Sequence, residues 1–225
     1  MRLLSASLLV LFALPFALRS QPASSAPELT PKIQVATAEA PRAKSKPRVR
    51  LQTTFGPIVL ELEPEITPKT VENFLAYVKE GFYAGTIFHR VIRGSVVQGG
   101  GLKDDMTEKP AHPPVFNEAR IALDAGLKNV AGSVAMARGE NPHSAAAQFF
   151  INVIDNPMFD PHGKAAEDYG YCVFGRVVEG METVTKIEKV QTVWRKGQPC
   201  VPEYPVRLKS AELLSETPAE AAGKP

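Results

Sequence analysis

The chain has 225 residues, a formal net charge of +2 and an apolar content of 44%, which suits one domain of ordinary size plus extensions. A net charge this close to zero gives no general argument for nucleic-acid binding, so none is expected. The two cysteines are far apart and the four histidines are scattered, so the sequence also predicts no metal site.

The first predicted element is an N-terminal targeting segment. Arg2 precedes an apolar run over residues 8–18. This run is too short to cross a hydrocarbon core of about 30 Å comfortably, so it predicts a secretory signal peptide over residues 1–26, with an uncleaved anchor as the alternative. The candidate cleavage positions are Ala26, which we favour, Ser20 and Ala23.

The next segment, residues 27–47, is rich in proline, alanine and basic side chains and shows no apolar periodicity. This composition indicates a disordered linker. Five basic side chains cluster around its end, namely Arg42, Lys44, Lys46, Arg48 and Arg50. Such a run is typical of a solvated tether, and weak contact with an anionic membrane surface is the alternative. Residues 216–225 are expected to form a disordered tail.

The predicted folded domain spans residues 48–215 and begins with a β-hairpin. Alternating apolar residues predict strands at 49–54 and 58–62. A helix follows, with Thr67 as its N-cap and Pro68 at its first position. Its apolar stripe has the helical spacing i, i+3, i+4, i+7 and consists of Val71, Phe74, Leu75 and Val78.

The stretch after this helix carries two polar groups that could line a groove. Residues 86–98 alternate apolar and polar side chains, which predicts one half-buried strand. The strand should end in the glycine run 99–101, because three consecutive glycines form a poor strand interior. Arg90 and Gln98 are its candidate groove-lining side chains.

The second half of the domain is predicted to be mainly β. Residues 102–128 read as a loop, with a short strand or turn at 116–118. Further strands are predicted at residues 132–136, 148–153, 171–177 and 206–214. A second helix should begin after Gly180, with Met181, Val184 and Ile187 on one side. Many short strands and two helices predict a closed antiparallel barrel with helical caps.

Three blocks of this sequence resemble the signature blocks of the cyclophilins. They are FHRVIRGSVVQGGG from Phe88, SVAMARGENPHSAAAQFFINVIDNPMFD from Ser133 and YCVFGRVVEGMETVTKI from Tyr171. The blocks occur in the family's order and spacing, and the resemblance runs over about residues 48–214. It is strongest to the bacterial secreted members. The resemblance implies a mostly β fold, an eight-stranded antiparallel closed barrel capped by two α-helices.

The resemblance also implies cofactor-independent peptidyl-prolyl cis-trans isomerase activity. Rotation about an X–Pro bond faces a barrier of about 18–20 kcal/mol and needs no covalent chemistry. A guanidinium aimed at the prolyl nitrogen favours the twisted amide, because that nitrogen accepts a hydrogen bond only after it has lost conjugation. Arg90 matches the family's catalytic arginine, and Gln98 matches the glutamine that orients it. His89 should point to the opposite face.

The expected substrate groove is likewise assigned by the resemblance. Phe150 matches the aromatic floor of the proline pocket, and Gln148 matches the second groove glutamine. The other expected substrate-binding residues are Val96, Met136, Ala137, Arg138, Met158, Phe159 and Tyr171. The implied partners are proline-containing unfolded or loop segments of client proteins. A monomer that assists protein folding in the periplasm is the resulting expectation.

The chain departs from the family at Ser95 and Val96, where a phenylalanine and a methionine usually wall the proline pocket. Loss of an aromatic wall removes roughly 1.5–3 kcal/mol of apolar contact. The alternative function is therefore a weakly active or inactive peptide-binding or chaperone module on the same scaffold. Met158 stands at the family's tryptophan position, which favours cyclosporin, so weak cyclosporin binding is expected.

Two further features stay open from the sequence. Residues 161–170 form a loop that is longer than in the shortest family members. It either tunes substrate access or is an inert insertion, and the second is favoured. Cys172 and Cys200 could form a disulfide in an oxidising compartment, but sequence alone does not decide whether they pair.

Overall fold

The computed structural model describes residues 46–215. The predicted signal peptide, nearly all of the predicted linker and the predicted tail therefore lie outside the described residues. Within the described range, no helix is both long enough and apolar enough to cross a membrane.

Eight strands close into an antiparallel barrel, as predicted. The described residues contain ten strands in all, namely β1 Arg48–Thr53, β2 Gly56–Leu62, β3 Ile87–Ile92, β4 Val96–Gly99, β5 Ser133–Met136, β6 Phe149–Asn152, β7 Val173–Glu179, β8 Thr192–Arg195, β9 Gln198–Pro202 and β10 Val206–Leu214. Their order around the barrel is β1-β10-β3-β4-β6-β5-β7-β2, while β8 and β9 form a separate hairpin. The described residues also contain three α-helices, α1 Pro68–Lys79, α2 Ala119–Asp124 and α3 Met181–Glu188, and two short 3-10 helices, Pro157–Phe159 and Glu167–Tyr169.

The barrel interior and α1 share one hydrophobic core. The buried side chains of α1 are Thr70, Val71, Phe74, Tyr77 and Val78. Leu75, which the apolar stripe includes, is only partly buried. The Phe74 ring centroid lies 5.1 Å from that of Phe174 and 5.6 Å from that of Phe149. Burial of a phenylalanine contributes roughly 1.5–3 kcal/mol, so these contacts tie α1 to the barrel strands.

The N-terminus of α1 is capped by a residue far along the chain. The hydroxyl of the predicted cap, Thr67, donates to the Glu63 carbonyl at 3.2 Å and makes no capping hydrogen bond. The buried Glu118 carboxylate accepts instead from the Thr70 N–H at 2.8 Å and from the Lys69 N–H at 3.3 Å. The first N–H groups of a helix lack internal partners and favour negative charge, so Glu118 satisfies what Thr67 leaves open.

The predicted single strand over residues 86–98 is wrong, because these residues form two strands. β3 ends at Ile92 and β4 begins at Val96. Gly94 lies in the turn between them with a φ of +68°, a conformation that glycine adopts without strain. The polar turn residues continued the alternating pattern, so periodicity alone did not reveal the turn.

The sequence did not predict α2 or the β8–β9 hairpin. The short strand or turn predicted at residues 116–118 is absent, and these residues lead directly into α2. The hairpin contains Cys200, which is partly exposed, whereas Cys172 is buried. Both cysteines are free thiols.

Candidate active site

A bulge at His89 brings Arg90 and Gln98 together. The β3–β4 register shifts between Phe88 and Arg90, so that Arg90 lies opposite Gln98. An uninterrupted ladder would place Arg90 opposite Val97, which belongs to the barrel core. The extra residue therefore turns Arg90 to the outer face of the barrel, where Gln98 also points.

The row that begins with Arg90 continues across the barrel surface. Gln98 lies opposite Phe150 of β6, and Phe150 lies opposite Ala135 of β5. Directly paired residues of neighbouring strands point to the same face. The register thus places a guanidinium, an amide and an aromatic ring side by side.

Hydrogen bonds fix the polar part of this row. Arg90 Nη1 donates to Gln98 Oε1 at 3.2 Å, and Gln98 Nε2 donates to Gln148 Oε1 at 3.1 Å. An amide that accepts on its oxygen and donates on its nitrogen has one defined orientation. The side chain of Gln148 lies against Gly101, where a Cβ would collide with it. Gly101 therefore leaves the space that this network needs.

A cavity of about 150 Å³ opens beside the row. It is lined by eight of the eleven predicted site residues, namely Arg90, Val96, Gln98, Ala137, Arg138, Phe150, Phe159 and Tyr171. The rings of Phe150, Phe159 and Tyr171 meet edge to face, with centroids 5.2–5.6 Å apart. Edge-to-face packing is a favoured aromatic geometry, so the cavity has an aromatic floor and a cationic edge.

The other three predicted site residues do not line this cavity. Gln148 lines a neighbouring cavity of about 390 Å³, which shares Gln98, Ala137 and Arg138 with the smaller one. Met136 is 1% exposed and packs inside the barrel core, because side chains alternate between the faces of a strand. Met158 is 72% exposed and does not line the small cavity. The structure therefore does not bring the side chains of Met136 and Met158 to the site.

Ser95, the main departure from the family pattern, lies in the β3–β4 turn. Its carbonyl accepts from the Val153 N–H at 2.8 Å and from Asn156 Nδ2 at 3.2 Å. Its hydroxyl lies 3.5 Å from Asn156 Oδ1. Ser95 is not among the residues that line the small cavity, so the apolar wall is built from Val96, Phe159 and other side chains.

The electrostatics of the site favour hydrogen bonding over proton transfer. Burial lowers the pKa of His89 to about 4, so this imidazole is neutral at physiological pH. Among the described residues that line the small cavity, none is an acid, a cysteine or a histidine. The described residues also contain no group of three or more His, Cys, Asp or Glu side chains that could hold a metal ion. The arrangement can bind a small apolar ring and direct a permanent cation at it.

The sequence did not identify the bulge at His89 as a feature that shapes the site. One signal was present, since two adjacent apolar residues, Ile87 and Phe88, break the alternation at the start of β3. Three consecutive residues up to His89 are buried in the structure. Such a run is what an extra strand residue produces.

Comparison with known proteins places this geometry in a family. The family Cyclophilin type peptidyl-prolyl cis-trans isomerase/CLD matches residues 48–212. The chain is 51% identical over 166 residues to peptidyl-prolyl cis-trans isomerase cyp18 of Streptomyces antibioticus, which covers 74% of this chain and 98% of that protein. It is 46% identical over 165 residues to peptidyl-prolyl cis-trans isomerase B of Escherichia coli strain K12, covering 73% and 98% respectively.

A solved structure agrees with the fold. The crystal structure of a cyclophilin type peptidyl-prolyl cis-trans isomerase of Cryptosporidium parvum superposes with a TM-score of 0.57 at 26% identity, covering 76% of this chain and 98% of that one. The sequence comparisons and the structure comparison therefore point to the same family for the chain in which Arg90, Gln98 and Phe150 line an aromatic cavity. This protein belongs to the cyclophilin-type peptidyl-prolyl cis-trans isomerases.

Proposed function

We propose that this isomerase uses Arg90 and Gln98 as its catalytic groups and acts on proline-containing segments of client proteins outside the cytoplasm. The observation that carries the site assignment is the Arg90–Gln98 hydrogen bond of 3.2 Å at the edge of an aromatic-floored cavity. A proline ring is apolar and small, which suits this cavity. The polar edge then lies where the prolyl nitrogen would be.

The catalytic step is a rotation about the X–Pro bond. As the amide twists, its nitrogen loses conjugation and becomes a hydrogen-bond acceptor, which the guanidinium of Arg90 meets. This interaction is stronger in the twisted state than in either planar isomer, so it lowers the barrier. Gln98 holds the guanidinium at Nη1, and Gln148 holds Gln98. The donors therefore need little reorganisation during the reaction.

The test is an NMR-exchange or protease-coupled isomerisation assay on a short X–Pro peptide. Arg90→Ala should lower kcat/KM about 100-fold, as expected when a preorganised donor is removed from a transition state. Arg195→Ala is the matched control, since the Arg195 side chain instead donates to the Glu203 carbonyl at 2.8 Å in the separate β8–β9 hairpin. Equal rates for wild type and Arg90→Ala would refute the assignment.

The proposed extracytoplasmic role rests on the sequence of residues 1–26, which resembles a signal peptide. Cell fractionation of the full-length chain should recover a shortened protein in the periplasm, and recovery in the cytoplasm would refute the location. The folding role is tested with a periplasmic protein whose refolding is limited by proline isomerisation. Wild type should accelerate that refolding, and Arg90→Ala should not. Equal acceleration by both would favour the alternative, a peptide-binding or chaperone module that acts without catalysis.

A further inference from the structure

A loop of ten residues, 161–170, leads into the cavity-lining residue Tyr171, although none of its own residues lines either cavity. Only its two end residues, Pro161 and Gly170, are buried. We call it the rim loop. It folds mainly on itself, because the His162 and Gly163 N–H groups both donate to the Asp168 carbonyl, at 2.8 Å and 3.3 Å. Four consecutive residues from Lys164 are exposed. A segment with so few buried contacts needs tethers to hold one position.

In the described part of the chain, Arg138 supplies two of the four side-chain hydrogen bonds that reach the rim loop from outside it. The other two come from Asn117 Nδ2 to the Gly170 carbonyl and from Arg120 Nη2 to the Gly163 carbonyl, each at 3.2 Å. Arg138 donates from its Nε to the Gly170 carbonyl at 3.0 Å and from its Nη2 to the Ala166 carbonyl at 2.8 Å. Its Nη1 donates to the carbonyls of Gly139 at 3.0 Å and Glu140 at 3.4 Å. A guanidinium has five N–H donors in a fixed fork. Four contacts with the chain's own backbone leave little donor capacity for a substrate.

The position of Arg138 also links the rim loop to the wall of the proline cavity. The guanidinium carbon lies 5.0 Å from the ring centroid of Tyr171, which follows the loop directly. That ring packs edge to face against Phe150 and Phe159. A planar cation over an aromatic face is attracted to it. Movement of Arg138 would therefore move the aromatic wall.

Arg138 further stands between two spaces. It lines both the cavity of about 150 Å³ and the neighbouring cavity of about 390 Å³. Gln98 and Ala137 also line both cavities, but Ala137 has only a methyl side chain. The side chains of Arg138 and Gln98 therefore form the partition between the two cavities, and Arg138 is the one of the two that also contacts the rim loop. If the proline ring occupies the smaller cavity, a flanking peptide residue that enters the larger cavity lies next to this partition.

We propose that Arg138 is a positioning and specificity-determining residue, which holds the rim loop and the partition in place and is not a ligand of the substrate backbone. The inference rests on the cavity being the isomerase site. Lysine would keep the charge but cannot reach the Gly170 and Ala166 carbonyls in the same fork geometry. Arg138→Lys therefore removes the hydrogen bonds that hold the rim loop while it keeps the positive charge.

The test compares Arg138→Ala and Arg138→Lys with wild type in three measurements. Amide hydrogen exchange over residues 161–170 should become at least about tenfold faster in both variants, with the barrel strands unchanged. KM for an X–Pro peptide should rise about fivefold with kcat changed less than about twofold, since ground-state positioning is lost. The ratio of kcat/KM for a Phe–Pro over an Ala–Pro peptide should rise at least about threefold, because the partition opens.

The control is Arg195→Ala, since Arg195 also donates to a backbone carbonyl, that of Glu203 at 2.8 Å, but in the β8–β9 hairpin. It should match wild type in all three measurements. Wild-type kinetics and exchange in Arg138→Lys would overturn the bracing role. If Arg90→Ala loses activity while both Arg138 variants keep the wild-type KM and substrate ratio, this inference fails alone. If Arg90→Ala is fully active, the proposed catalytic assignment fails as well.

Discussion

Acidification should destabilise this protein through one buried histidine. His89 is 3% exposed, and its Nδ1 has no hydrogen-bond partner among the described residues. Burial lowers its pKa to about 4, and the Arg90 charge acts in the same direction. The Ile87 carbonyl and the Gln148 side chain oppose this shift only in part. The fold therefore holds His89 neutral under conditions where an unfolded chain would protonate it.

The magnitude follows from the two pKa values. An unfolded histidine has a pKa of about 6.5, so the unfolded state binds more protons than the folded state between about pH 6.5 and pH 4. The contribution of the neutral His89 to the free energy of unfolding is complete above pH 6.5, falls as the pH is lowered, and levels off below pH 4. The loss from this one group is about 2 kcal/mol at pH 5 and about 3 kcal/mol at pH 4.

The assay is urea denaturation of wild type and His89→Gln at pH 7, 6, 5 and 4. The variant is neutral throughout, so the difference between the two curves isolates His89 from the carboxylates. Hydrogen bonds from Arg176 and then Arg48 lower the pKa of Glu61, so its contribution is lost at lower pH than that of His89. His112→Gln is the control, because His112 is exposed beside Glu80. If the free energy of unfolding of His89→Gln fell between pH 7 and pH 5 as steeply as that of wild type, the reasoning would be refuted.

Three more outcomes follow from the structure. Glu118→Ala should lower the free energy of unfolding by about 2–4 kcal/mol, because it leaves the N–H groups of Lys69 and Thr70 without a partner. Thr67→Val should lower it by less than about 1.5 kcal/mol. Equal losses of the two variants in urea denaturation would contradict the assignment of Glu118 as the cap of α1. Ser95→Phe should change kcat/KM by less than about threefold, since Ser95 does not line the cavity, and a tenfold gain would show that an aromatic wall is missing. Cyclosporin should bind with a Kd above about 10⁻⁷ M, because Met158 is largely exposed and away from the cavity; tighter binding by calorimetry would contradict this.

Periodicity identified the elements with a dense apolar pattern. β1 alternates over six residues, α1 carries one apolar stripe, and β2 has four apolar side chains among five consecutive buried residues, so all three were predicted within a few residues. α2 has only six residues and buries little more than Ala119 and Ala122, so it carries no comparable signal. The cap of α1 depends on Glu118, 48 positions beyond Thr70. A local pattern such as a threonine before a proline cannot reveal such a contact.

For the site, the sequence predicted which residues take part but not how they come into contact. The resemblance identified Arg90, Gln98 and Phe150 as a set, but the predicted single strand would separate Arg90 from Gln98 by about 26 Å at 3.3 Å per residue. The turn at Gly94 reverses the chain, and the bulge at His89 corrects the register. Only both together place the two side chains 3.2 Å apart. Residue identity was therefore predictable, whereas the contact required the pairing of strands.

The turn between β3 and β4 is held in place although position 95 carries serine where the family usually has phenylalanine. Arg93 donates to the Lys189 carbonyl at 3.0 Å, and the Gly94 N–H donates to Glu188 Oε1 at 2.7 Å, so the turn is tied to the C-terminus of α3. Asn156 holds Ser95 from the other side. These contacts fix β3 and β4 without an aromatic side chain in the turn. The register of Arg90 with Gln98 then depends on backbone pairing and polar anchors, while the rings of Phe150, Phe159 and Tyr171 supply the apolar surface.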